Sequence, residues 1–158
     1  MKIGVFRTVV ALAITSGFGG CATRPFARVE GPARSQVAEV ELAGQTCGRE
    51  NDPNWSEADI LGLDLRIRVD NTGVTPLSFD PARIALLAAG QSYRPQRSDA
   101  ADAIPPGASR TFVVHFWERN GDLACNVPMA LAPDRAVTLG GTAVTLAPIS
   151  FLASRDDR

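Results

Sequence analysis

Between Leu61 and Asn71 the chain reads LGLDLRIRVDN, and this unmixed alternation constrains the fold more than any other stretch. Leu61, Leu63, Leu65, Ile67 and Val69 fall on one face of an extended strand, and Gly62, Asp64, Arg66, Arg68 and Asp70 on the other. A helix would scatter the same apolar residues around its circumference, so the period specifies a half-buried β-strand. Asp70-Asn71-Thr72-Gly73 then supplies the turn chemistry that stops it. Ser109–Trp117, SRTFVVHFW, repeats the pattern with Phe112, Val114 and Phe116 on one face and Thr111, Val113, His115 and Trp117 on the other.

The remaining segments are shorter and less regular. Ser35–Thr46 alternates weakly, with Ala38, Val40 and Leu42 against Glu39 and Glu41, and reads as a first strand suited to a sheet edge. Gly48–Ile60 is polar, with a turn signal at Asp52-Pro53-Asn54. Its acids Asp52, Glu57 and Asp59 lack the alternating order, central Gly and twelfth-position Glu of a calcium loop, so it reads as a solvated loop in which Ser56 caps one helical turn. Residues 83–88 and 91–94 form a pair split by Ala89-Gly90, and residues 96–103 are polar and acidic. Pro128 makes residues 123–131 an irregular or edge segment. Gly140-Gly141 joins residues 137–139 to 142–151 as a hairpin.

Some seven short strands between Gly/Pro turns, with no long helical period after the first 20 residues, predict an all-β, two-sheet antiparallel sandwich. A chain of 158 residues, 45% apolar, suffices for one such domain with a real core. The formal charge of −1 offers no basic excess for a phosphate backbone, so nucleic acid is not an expected partner. Lys2 is the only lysine among 16 basic residues; an Arg-only surface fits a coding bias, and also favours bidentate contacts to carboxylates.

Residues 1–20 read as an export signal: Lys2 and Arg7, the apolar run TVVALAIT, then the small residues of SGFGG. The run is too short to span a bilayer with comfort. Phe18-Gly19-Gly20-Cys21 resembles the lipobox of bacterial lipoproteins, although Phe stands where Leu is usual and Gly where Ala or Ser is commoner. That resemblance implies cleavage before Cys21 and attachment there of a diacylglycerol and an N-acyl chain such as palmitate. At about 0.8 kcal/mol per buried CH₂, several chains anchor a small domain essentially permanently. The alternative is an ordinary signal-peptidase site with an incidental Cys21. By resemblance to proteobacterial lipoproteins, Ala22 in place of Asp implies the outer membrane, facing the periplasm. Residues 21–34 then form a flexible tether and residues 35–153 the domain.

With Cys21 acylated, Cys47 and Cys125 are an even pair in an oxidising compartment, and a disulfide between them is expected, roughly 4 to 5 kcal/mol on the chain-entropy model. Unpaired buried thiols and a catalytic thiol are the other options, the last lacking a nearby His. Taken in order, the central strand, Phe79-Asp80-Pro81, the segment GQSYRP, Ile104-Pro105-Pro106-Gly107 and Phe-Val-Val-His-Phe resemble the immunoglobulin-like domains of small bacterial lipoproteins, over residues 37–151. The resemblance implies a fold and a location and carries no catalytic residues.

His115 is the only imidazole, and its strand position beside Trp117 marks it as a half-exposed packing residue rather than a general base. No P-loop, GxGxxG, GxSxG or HExxH motif is present. The expectation is therefore a non-enzymatic lipid-anchored module without cofactor or metal, acting on an envelope protein or polymer. The alternative is a binder of small ligands or glycans through exposed Trp55, Tyr93 and Trp117, with Arg94 and Arg97 nearby.

Overall fold

The structure is a computed structural model and describes residues 28–50, 60–118, 125–133 and 135–155. The strands in chain order are β1 (Arg28–Val29), β2 (Ala33–Arg34), β3 (Ala38–Glu50), β4 (Ile60–Asn71), β5 (Leu77–Phe79), β6 (Ala85–Ala88) and β7 (Gln91–Tyr93). After them come β8 (Arg97–Ser98), β9 (Asp102–Ile104), β10 (Ser109–Glu118), β11 (Pro128–Ala132), β12 (Val137–Leu139), β13 (Thr142–Ala143) and β14 (Ile149–Leu152). A single 3₁₀ turn, Pro81–Arg83, separates β5 from β6. The molecule is the expected all-β antiparallel sandwich.

Its first layer has the order β2-β3-β4-β10-β8, with the Leu61–Asn71 strand at the centre as its alternation requires. Leu63, Leu65, Ile67 and Val69 are buried, while Arg66 and Arg68 are exposed. Strand β10 lies antiparallel beside β4, Phe112 opposite Ile67 and Val114 opposite Leu65, so both apolar faces point into the same core. On the other side β3 follows β4 with a bulge at Ala43: Leu42 faces Ile67 and Gly44 faces Arg66. One extra residue inverts the alternation, so Gln45 and Cys47 turn inward after the bulge. Strand β3 is covered only in part on its outer side: β2 pairs with Glu39 and Val40, and Cys47 bridges Arg155, which leaves the intervening stretch as the edge expected there.

The second layer is hydrogen-bonded as two sheets, β1-β14-β11-β6-β7 and β13-β12-β5-β9, so there are three ladders where two were expected. They are halves of one interrupted ribbon. Leu77 faces Leu139 and Phe79 faces Val137; beyond the interruption Ala85 faces Ala132 and Ala88 faces Met129. The β5–β6 side carries one residue more than the β11–β12 side, and that mismatch is taken up by the 3₁₀ turn. The Asp80 side chain caps the turn by accepting from Ala82 N (3.1 Å), and Pro81 occupies its first position. Asp80 N still reaches across to Ala136 O (2.9 Å). Phe79 packs on Phe112 of the first layer, ring centroids 4.6 Å apart, which closes the sandwich at this point.

Three segments depart from the sequence reading. Residues 28–34, assigned to a tether, include β1 paired with β14 and β2 paired with β3, so the domain begins by Arg28. The segment holding Pro128 is an interior strand, between β14 and β6; Pro128 is tolerated because it is the first residue of β11. Residues 96–103, read only as polar and acidic, contain β8 and the start of β9. Polar composition hid β8 because side chains complete its pairing: Gln96 Oε1 accepts from Trp117 N (2.9 Å) and Asp99 Oδ2 from Val113 N (2.7 Å).

Candidate functional site

A disulfide joins Cys47 to Cys125 with the Cα atoms 5.9 Å apart. The bulge that turns Cys47 inward is what presents its sulfur to Cys125. Around the bond, Asn126 N donates to Ala153 O (2.8 Å) and Gln45 Nε2 to Ser154 O (3.2 Å), so β3, the residue 125–127 segment and the C-terminal segment are knitted together. Cys21, Trp55, Asp52, Ser56, Glu57 and Asp59 lie outside the described residues. Among the described residues no helix is long and apolar enough to cross a membrane, and no three His, Cys, Asp or Glu residues form a group that could hold a metal ion.

Of the proposed stacking residues, Tyr93 is excluded. It sits opposite Leu86 on the inward face of β7 and is 8% exposed, because the alternation of this short strand sends its third residue into the core. Trp117 lies half-buried on the outer face of the first layer. The register sets it opposite Gly62, which in turn faces Gly48, so its two neighbours across the sheet carry no side chain. One step along, His115 Nδ1 contacts the Asp64 carboxylate, and Thr46 follows on β3. The imidazole is partly buried, as expected, with its ring centroid 6.4 Å from that of Trp117. What the sequence could not supply was the partner: Asp64 and His115 both alternate outward, but only the β4–β10 register sets them face to face.

The rest of this face is charged and, apart from Arg66, largely paired locally. Arg34 donates to Glu39 through Nε and Nη2 (2.9 and 3.1 Å), a bond that raises the guanidinium above its ordinary pKa, with the charge of Glu39 acting in the same direction. Arg68 donates to Asp70 (3.0 Å) and Ser109 (3.3 Å) and stands 3.9 Å from Glu41. Such exposed pairs are screened by solvent and add little to stability.

The second layer presents several concavities, one of which, of about 530 Å³ and lined by Asp80, Arg83, Asp102, Thr138 and Gly141, adjoins the notch that Arg83, Arg94 and Arg135 line. A shallow apolar groove of about 710 Å³ lies over the first ladder, lined by Leu87, Pro128, Ala130 and Leu152, with Glu30 and Ser150 at its rim. At the interruption of the ribbon, a notch of about 410 Å³ is lined by Arg83, Arg94, Arg135, Thr138 and Gly141. The three arginines come from the 3₁₀ turn, the end of β7 and the turn before β12, segments that meet only because the ladder breaks there.

Comparison of the sequence with protein-family models and with curated proteins returns no match. Solved structures do resemble the fold. One is the ycdA protein of Bacillus subtilis subsp. subtilis strain 168, whose assignment as a lipoprotein is itself provisional: TM-score 0.62 at 16% identity, covering 78% of this chain and 39% of that one. The chain thus spans about two-fifths of that protein's length. Another is the yjhA protein of Bacillus subtilis, TM-score 0.51 at 13% identity, covering 80% of this chain and 97% of the other. At these identities the likeness is one of fold.

Proposed function

We propose that the protein is a lipid-anchored component of the bacterial envelope, held by acylated Cys21, whose sandwich serves as a structural or interaction module rather than an enzyme. The observation that carries this reading is the Cys47–Cys125 disulfide, since such bonds form and persist in oxidising compartments, the destination that an export signal in residues 1–20 would give the chain. The resemblance in fold to ycdA, itself provisionally assigned as a lipoprotein, supports it. So does the start of the domain at Arg28. Only residues 22–27 separate Cys21 from β1, a reach of about 25 Å when fully extended, so the anchor keeps the domain against the membrane surface. Ala22 favours the outer membrane and a periplasm-facing domain. The partner in this reading is an envelope protein or polymer.

Feeding cells labelled palmitate tests the anchor. Label should enter the wild-type protein in the membrane fraction and be absent from Cys21→Ser; equal labelling of both, or none in either, overturns it.

A second reading, glycan binding, retains one supporting observation: Trp117 beside Gly62 and Gly48, with Asp64 and His115 one step away to hydrogen-bond hydroxyls. Trp117→Ala should then abolish retention on immobilised peptidoglycan, and unchanged retention counts against a sugar platform.

A further inference from the structure

The notch at the interrupted ribbon concentrates positive charge in a chain whose net charge is −1. Arg94 is held in place: its Nη1 donates to the carbonyl of Arg83 and to that of Ile84 (3.3 Å), which leaves Nε and Nη2 without partners among the described residues. Arg135 is exposed and makes neither hydrogen bond nor ion pair among the described residues. Arg83 shares its charge with Asp80 (3.1 Å), while Asp102, the other carboxylate nearby, is engaged by Arg110 (2.7 Å). Asp134, which precedes Arg135, lies outside the described residues; among those described, only the Asp80 carboxylate pairs with this group, so the three guanidinium groups approaching one cavity from three chain segments are not balanced by it. Gly141, at φ 83°, contributes backbone without a side chain to the wall, and Thr138 contributes a hydroxyl.

The geometry points to a binding site for a phosphate group. A carboxylate carries one charge and is satisfied by one Arg fork, whereas a phosphate monoester carries about −1.5 to −2 and offers acceptor oxygens on several sides, matching donors that converge from three directions. Arginine is suited to this work because its planar donors remain charged and fit oxyanions bidentately. The anion bridges Arg94 and Arg135 while Arg83 screens it from the third side. The site is independent of the lipid anchor and lies on the opposite layer from Trp117.

The test uses the full chain with its disulfide intact, in a nonionic detergent. Pyrophosphate is titrated while the arginine Nε–H resonances are followed by NMR, and flotation is measured with vesicles of phosphatidylcholine alone or with added phosphatidic acid. Arg135→Gln and Arg94→Gln remove notch donors. Arg66→Gln removes an equally exposed, equally unpaired arginine from the other layer. The site predicts saturable shifts at Arg94 and Arg135, at least fivefold weaker binding in both notch variants, and no change in Arg66→Gln. Saturable pyrophosphate binding without vesicle flotation identifies a soluble or polymer-borne phosphate; notch-dependent flotation identifies a lipid headgroup. Equal weakening by Arg66→Gln and Arg135→Gln, or no saturable response to either probe, overturns the proposal. Arg94→Gln also loses bonds to two carbonyls, so Arg135→Gln, which loses no hydrogen bond or ion pair among the described residues, is the decisive variant.

Discussion

Asn71 is the residue on which the most backbone depends. It is 2% exposed, yet its Nδ2 donates to Thr75 O and Ile104 O (2.8 Å each) and its Oδ1 accepts from Gly73 N (3.0 Å). Its own backbone carbonyl accepts from Gly107 N and its N–H donates to Ala108 O (2.9 Å each). It therefore pins the end of β4 to the start of β5, to β9 and to the Pro-Pro-Gly turn. Asn71→Ala strands the buried carbonyl of Ile104 and removes the partner of the more exposed Thr75 carbonyl, and should cost about 1–3 kcal/mol in urea unfolding; a loss below about 0.5 would show that water replaces the side chain at no cost. The sequence marked Asn71 as turn chemistry, which is half its role, because one of the two carbonyls it serves, that of Ile104, is distant in the chain. Tyr93 shows the same limit from the other side: an aromatic in a Gly/Arg/Pro-rich segment looks like a surface platform until the register assigns its face.

At the scale of elements, β4 and β10 were legible because long, clean alternation needs no partner to be read. The Gly turns also marked the β6–β7 pair and the β12–β13 hairpin, but β8 and β9 were not legible, since β8 is completed by side-chain acceptors and both pair with strands that are not their sequence neighbours. The bulge at Ala43 could not be read either: it converts the expected outward Gln45 into a buried residue, and nothing local announces it. The faces of β4 give a direct test. Leu65→Asp or Ile67→Asp buries an unpaired carboxylate at a fully buried position, at a cost of several kcal/mol against a total of about 5 to 15, so the domain should not fold. Arg66→Asp should shift stability by about half a kcal/mol. Arg68→Asp should cost about 1 kcal/mol, because it removes a bridge to Asp70 and places like charges beside Glu41. Circular-dichroism melts in which the Arg variants unfold and the apolar ones survive would mean that the register is off by one.

For the molecule as a whole, the disulfide ties the far half of β3 to residues that close the second layer. Replacing both cysteines, Cys47→Ala with Cys125→Ala, should cost about 2–5 kcal/mol in denaturant midpoint measurements while preserving the β-sheet spectrum; no change in midpoint would mean that the C-terminal contacts alone hold that end. The pairing was readable from cysteine parity and compartment, whereas the arginine notch was not, because Arg83, Arg94 and Arg135 are unremarkable until a one-residue mismatch breaks the ribbon and gathers them. The central claim, an exported and lipid-anchored domain, is tested most directly by intact mass spectrometry of the protein extracted from native membranes under thiol-alkylating conditions without reductant. The predicted species begins at Cys21, carries acyl groups and takes up no alkylating agent, because Cys47 and Cys125 are bonded. A chain retaining Met1, or one cut elsewhere with Cys21 unmodified, would contradict the account.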